Sequence, residues 1–182
     1  GCSLAASVNH LIRLKNALSK VGIKNLARGD NPKDKDRFFA KNLNVPVPEI
    51  YGDNYQIESI PIIPETIVKP YSGCAANGVF YVNCNLQICS VNSGKYYTSV
   101  YEGVNSEVIA KSKRVSFDRW VVEQAILNDA GRIAHNLKVF SFYGKVGLFL
   151  ETAFPGGDGE GKIKKSAYDE SGNDVELRFN GT

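Results

Sequence analysis

Lys69 closes the run Thr66-Ile67-Val68-Lys69-Pro70, and the residues after it, Tyr71-Ser72-Gly73-Cys74-Ala75-Ala76-Asn77-Gly78, are nearly all small. Small side chains let backbone N–H groups approach an anion, and a lysine at the end of the preceding strand adds a positive charge to it. The chemistry offered by this spacing is phosphate binding. The segment is not a GxxxxGK[ST] loop and runs from strand to strand, which excludes the nucleoside triphosphatases built on that motif. On its own the segment reads more simply as an ordinary β-hairpin loop.

Other chemistries find less support. Hydrolysis through a nucleophile needs a base beside a serine or cysteine, and the histidines are only His10 and His135. His10 falls near the apolar stripe of a helix, where a packed histidine is the simple reading, and no spacing ties His135 to a nucleophile. The cysteines Cys2, Cys74, Cys84 and Cys89 contain no CxxC pair of the kind a structural zinc site uses. Cys84 and Cys89 flank a short insert that a turn could close, but a reducing compartment keeps such thiols free. Asp169, Glu170, Asp174 and Glu176 lie in a turn region without the spacing of a two-metal site, so no metal ligand is assigned.

The elements that must carry these residues read as α+β. Val8, Leu11, Ile12, Leu14, Leu18 and Val21 recur at helical spacing, with Ser7 as a cap and Gly22 as a stop. A second helix follows from Asn31-Pro32 through Phe38, Phe39 and Leu43, and Val45-Pro46-Val47-Pro48 ends it in extended backbone. Beyond that come short β-branched and aromatic runs: 56–60, 66–69, 79–83, 86–91 and 96–101. The run 117–127 fits a helix or a buried strand equally well. A hairpin is expected over 137–151 around Tyr143-Gly144-Lys145, a mobile loop over 155–161, and a last hairpin around Glu170-Ser171-Gly172-Asn173.

Composition sets outer limits. At 182 residues, 43% hydrophobic and 23% charged, the chain can bury one sizeable core. A net charge of +3, scattered, marks no nucleic-acid surface. The basic clusters 111–114 and 162–165 read as solvated faces. Apolar runs fall far short of the roughly 20 residues that cross a bilayer, and no leader opens the chain, so a soluble, cytoplasmic protein with no membrane and no nucleic-acid partner is expected.

In order along the chain stand Asp34-Lys35, then Val45-Pro46-Val47-Pro48, Ile67-Val68-Lys69-Pro70 with its small-residue loop, Val121-Val122-Glu123-Gln124-Ala125-Ile126, and Asn136-Leu137-Lys138-Val139-Phe140-Ser141-Phe142-Tyr143-Gly144-Lys145. That order resembles the ATP-grasp superfamily, and the last segment is similar to the Asp-Tyr-Lys-Phe-Tyr-x-Phe-x-Gly-Lys hairpin of members linked to polysaccharide and teichuronopeptide synthesis. The resemblance covers about residues 31–151. It implies antiparallel sheets in two small lobes with flanking helices, and ATP with Mg2+ as ligands. Lys35 and Lys69 would hold phosphates, and the loop containing Ser72, Gly73 and Gly78 would cover them. Glu123 would face the adenine amino group, with the main chain of Gln124 and Ile126 supplying the other bonds. An adenine edge offers one donor and one acceptor, which a strand backbone can match. Lys138 would be the catalytic residue at the γ-phosphate or acyl phosphate.

Three departures stand out. The loop holds less glycine than is usual, Asn136 replaces an aspartate, and no Asp-Gly-x-x-x-x-Glu-x-Asn segment supplies magnesium ligands. Together with the absence of methionine, the last suggests a piece of a longer polypeptide whose metal ligands lie outside it. The expected organisation is a helical lead-in over 1–64, a small lobe over 65–122 and the start of a second lobe over 123–182. The expected function is an ATP-binding domain of a carboxylate–amine or carboxylate–thiol ligase working through an acyl phosphate, with a small-molecule carboxylate and an amine or thiol as partners. Whether this stretch is itself an enzyme is left open, and a non-enzymatic β-rich binding module is the alternative.

Overall fold

The computed structural model describes residues 37–38, 40–71, 76–107, 119–142, 145–157, 159 and 161–176. The chain divides into two compact units, Gly1–Val47 and Pro48–Thr182. In the first, residues 37–38 and 40–42 are helical and a turn follows at 43–44, where Asn44 takes φ 55° and Val45 N–H donates to Ala40 O at 2.9 Å. The helix thus stops just before the prolines, as their missing donors require. The helix expected from Ser7, and Lys35 with it, lie outside the described residues.

The second unit is built on two antiparallel sheets. Strands β1 (Ile50–Tyr55), β2 (Thr66–Pro70), β3 (Phe80–Val82), β4 (Ile88–Ser90), β5 (Tyr96–Tyr97) and β6 (Trp120–Gln124) form one, in the order β1-β6-β2-β3-β4-β5. Strands β7 (Asn136–Phe142), β8 (Lys145–Ala153) and β9 (Lys164–Tyr168) form the other, in chain order. The ambiguous run around Trp120 is therefore a strand, and its place explains why periodicity was silent. β6 lies between β1 and β2 with both faces covered, so Trp120, Val121, Val122 and Glu123 are all buried and no alternation shows.

One face of the larger sheet packs the main core, in which Val68, Phe80, Val82, Ile88, Trp120 and Val122 meet Val100 and Val104 of helix α1 (Val100–Glu107). A run expected to stay extended through Tyr101 instead turns into this helix. Ser99 Oγ accepts the Glu102 N–H at 3.1 Å while the Glu102 carboxylate accepts the Thr98 N–H at 2.8 Å and hydroxyl at 2.7 Å, a capping box that satisfies donors at the helix start. At its far end Glu107 sits where the helix dipole disfavours a carboxylate. Hydroxyls offset this: Ser90 and Tyr97 each donate to Glu107 at 2.7 Å, and Ser93 donates as well.

Two further expectations are corrected. The strand expected at 56–60 lies earlier, at Ile50–Tyr55, and Ile57–Ser59 is a 3-10 turn. The loop expected to be mobile over 155–161 is tied down where described: Gly156 N–H donates to Val91 O at 3.1 Å, and a Cβ on Gly156 would come within 2.8 Å of Ser90 O. The β7–β8 hairpin and the turn after β9 fall where expected, the latter closed by a bridge between Tyr168 and Asp174. Among the described residues no helix is long and apolar enough to cross a membrane, and sheets far outweigh helices.

Candidate functional site

The second face of the larger sheet is set by the period of two. With Thr66, Val68 and Pro70 buried on the core side, Ile67 and Lys69 must point the other way. Register places Glu123 opposite Ile67 and Val121 opposite Lys69, so Lys69 and Glu123 are diagonal neighbours on one face. Lys69 Nζ donates to Glu123 Oε1, and the side chains retain 24% and 9% exposure. Around the pair the surface is apolar: Tyr81, Val91 and Ala125 are buried there, with Ile67, Val79, Leu127, Ile133 and Phe154 packed against them.

The smaller sheet supplies the opposing wall. Asn136 pairs with Thr152 and Thr152 with Lys165, giving one row across β7, β8 and β9. Lys138 is on the same face, two residues or about 7 Å further along β7. The two walls enclose a cleft of about 660 Å³, whose lining includes Lys69, Glu123, Gln124, Ile126, Lys138 and Lys165. Among the described residues three lysines thus face one carboxylate, and that carboxylate is already paired with Lys69.

The chain passes from one wall to the other through Ala125-Ile126-Leu127. Gln124 N–H donates to Glu49 O at 2.8 Å and Gln124 Oε1 accepts Glu49 N–H at 3.3 Å. Ile126 O accepts from Ala134 N at 2.9 Å, and among the described residues the Ile126 N–H has no hydrogen-bond partner. An N–H without a partner among the described residues, beside apolar walls and with the Ile126 residue 59% exposed, suits the edge of a flat heteroaromatic ring.

On the face of the smaller sheet away from the Asn136–Thr152–Lys165 row, Glu151 accepts from Tyr168 OH and bonds His135 Nδ1, both at 2.7 Å. The His135 contact first, and the Tyr168 hydroxyl second, hold the Glu151 carboxyl below its usual range. The same bond raises the Tyr168 phenol.

Of the residues singled out from sequence, Lys69, Glu123, Gln124, Ile126 and Lys138 all come to this cleft although they span three separate stretches of chain. Gly78 is in the turn before β3 with φ +71°, and a Cβ there would lie 3.5 Å from Pro70 and 3.7 Å from Trp120, while its neighbours Ala76 and Val79 line the cleft. Lys35, Ser72 and Gly73 lie outside the described residues. Sequence reasoning passed over Lys165, grouped with a solvated basic cluster. Alternation in Lys164-Lys165-Ser166-Ala167 was the signal, since a strand sends neighbouring lysines to opposite faces. Cys84 and Cys89 are both free thiols, Cys84 exposed and Cys89 buried, and burial raises the Cys89 thiol pKa. Among the described residues no group of His, Cys, Asp and Glu is placed to hold a metal ion.

A model of the TupA-like ATPgrasp family matches residues 12–177. The chain belongs to this family. No curated protein and no solved structure matches it. Membership in the ATP-grasp superfamily agrees with the antiparallel sheets, and family members generally bind ATP with Mg2+.

Proposed function

We propose that the cleft binds ATP and that the chain forms part of a carboxylate–amine or carboxylate–thiol ligase of the ATP-grasp type. The observation that carries the reading is the meeting, in one cleft between two sheets, of Lys69, Lys138, Ile126 and the Glu123 carboxylate. The Gln124 N–H is bonded to Glu49, so what its main chain has for a ligand is the carbonyl. That carbonyl accepts from the adenine amino group, helped by Glu123, and the Ile126 N–H donates to the adjacent ring nitrogen. Ile67, Val79, Val91 and Phe154 cover the ring faces. Lys69 and Lys138, from opposite walls, hold the phosphates. The larger sheet then serves as the small lobe and the smaller sheet begins the second.

ATP supplies a phosphoryl group to a substrate carboxylate; a carboxylate oxygen bonds phosphorus as ADP leaves. An amine or thiol then attacks the carbonyl carbon and phosphate departs. Lys138 acts as the catalytic cation that stabilises charge on the moving phosphoryl oxygens. Among the described residues no carboxylate set is placed to hold magnesium.

Calorimetric titration of the purified chain with Mg-ATP and Mg-GTP tests the reading. Guanine reverses donor and acceptor on the edge that Gln124 and Ile126 meet, so ATP should bind about a hundredfold tighter, two mismatched polar contacts costing about 1–3 kcal/mol each. Lys69→Ala should weaken ATP at least tenfold. Absence of heat and of any thermal shift with ATP would sink the proposal.

A further inference from the structure

Lys165 and Lys138 differ from the other charged groups of the cleft. Lys69 is neutralised by Glu123, whereas among the described residues neither Lys138 nor Lys165 has a carboxylate partner. Lys164, one residue away, pairs opposite Ala153 and so projects to the other face, where it has an interaction of its own. Lys165 stands with Thr152 and Asn136 in a row that runs straight across the smaller sheet, each able to donate to an oxyanion. The row is nearer than Lys138 to the Ala134–Ile126 junction by about 7 Å along β7. Across it, Lys165 is two strand spacings from Asn136, about 10 Å. Uncompensated cations on a concave wall with apolar surroundings concentrate potential at one place.

Building on the ATP reading, we propose that Lys165, with Thr152 beside it, is a second oxyanion seat of the cleft, separate from Lys138. It binds a phosphate or carboxylate group of a ligand. Its geometry explains why the row holds no acid: a carboxylate at Asn136 or Thr152 would neutralise the lysine and close the seat.

The test compares the wild type with Lys165→Ala, Lys165→Arg and Lys164→Ala by calorimetry. ADP and ATP are titrated first, then succinate and inorganic phosphate into protein saturated with ADP. Lys165 is exposed, so these variants fold, and circular dichroism checks that they do. If the seat takes a nucleotide phosphate, Lys165→Ala weakens ADP or ATP about tenfold, Lys165→Arg restores most of it, and Lys164→Ala matches wild type. If the seat takes an acceptor-side group, nucleotide affinity holds and succinate or phosphate binding falls by the same factor. A Lys165→Ala protein indistinguishable from Lys164→Ala in every titration overturns the proposal. Should the wild type bind no nucleotide, the ATP reading fails by itself, and inorganic phosphate titrated into the free protein still reads the seat: loss in Lys165→Ala supports it, and equality overturns it.

Discussion

The Lys69–Glu123 pair puts a cation suited to phosphate within reach of a carboxylate suited to an adenine amino group, so a nucleotide competes with each for the other. Glu123→Gln keeps an acceptor oxygen and removes the competing charge. Its affinity for pyrophosphate should rise several-fold in calorimetry. Its urea stability should fall by about 1–3 kcal/mol, because Lys69 is left partly buried beside a neutral group. Glu151 makes a different prediction, on acid stability. Its carboxyl is depressed in the fold, so its contribution is present above the unfolded value of about 4.3 and fades as pH falls through the lower folded value. Urea midpoints of wild type and Glu151→Gln should therefore differ at pH 7 and converge at the acid end; a gap that stays constant with pH would show that the His135 and Tyr168 bonds carry no such linkage.

Helix α1 lies close enough on the larger sheet that a Cβ on Gly103 would overlap the Phe80 ring. Alanine is the better helix former, yet Gly103→Ala should destabilise by about 1–3 kcal/mol through overpacking, measurable by denaturant unfolding. Tyr97, beneath the same helix, has its phenol pushed up to about 12, first by burial and then by its bond to Glu107. A raised folded value stabilises below the unfolded pKa near 10 and is lost as pH climbs toward 12, so an ultraviolet phenolate titration should show a late component that shrinks by one tyrosine in Tyr97→Phe. These elements also show what was legible in sequence. β2, the β7–β8 hairpin and the stop before Pro46 followed from local rules, because each is set by its own alternation or its own prolines. β6 did not, because full burial erases the pattern. The start of α1 was written as Ser99-x-x-Glu102 but was hidden by the strand-like pair Tyr96-Tyr97 just before it. In the cleft, Lys69 was legible from its strand end and the small-residue loop after it, Glu123 and Lys138 from the resemblance, whereas Lys165 required knowing that β9 pairs with β8.

For the second unit as a whole, burial is uneven. The larger sheet holds Val68, Phe80, Val82, Trp120 and Val122 at zero exposure, while the buried residues of β8 and β9 are Thr152, Ala153 and Ala167. Hydrogen exchange should therefore find the slowest amides in β2, β3 and β6 and faster ones in β9, an edge strand of its sheet. A ligand gripping both walls links the two. At a hundred times its dissociation constant it should add about 2.7 kcal/mol, or roughly 5–10 °C in melting temperature for a chain of this size. With Lys69 and Lys138 both changed to alanine, that rise should disappear.

Trp120 is the single tryptophan of the chain, fully buried on the side of β6 opposite the cleft. The molecule thereby carries its own optical reporter. Its emission should be blue-shifted and out of reach of iodide while the sheet is intact, and should move to the red when the core opens. Because the indole turns its back on the cleft, the same signal follows unfolding without interference from whatever the cleft binds.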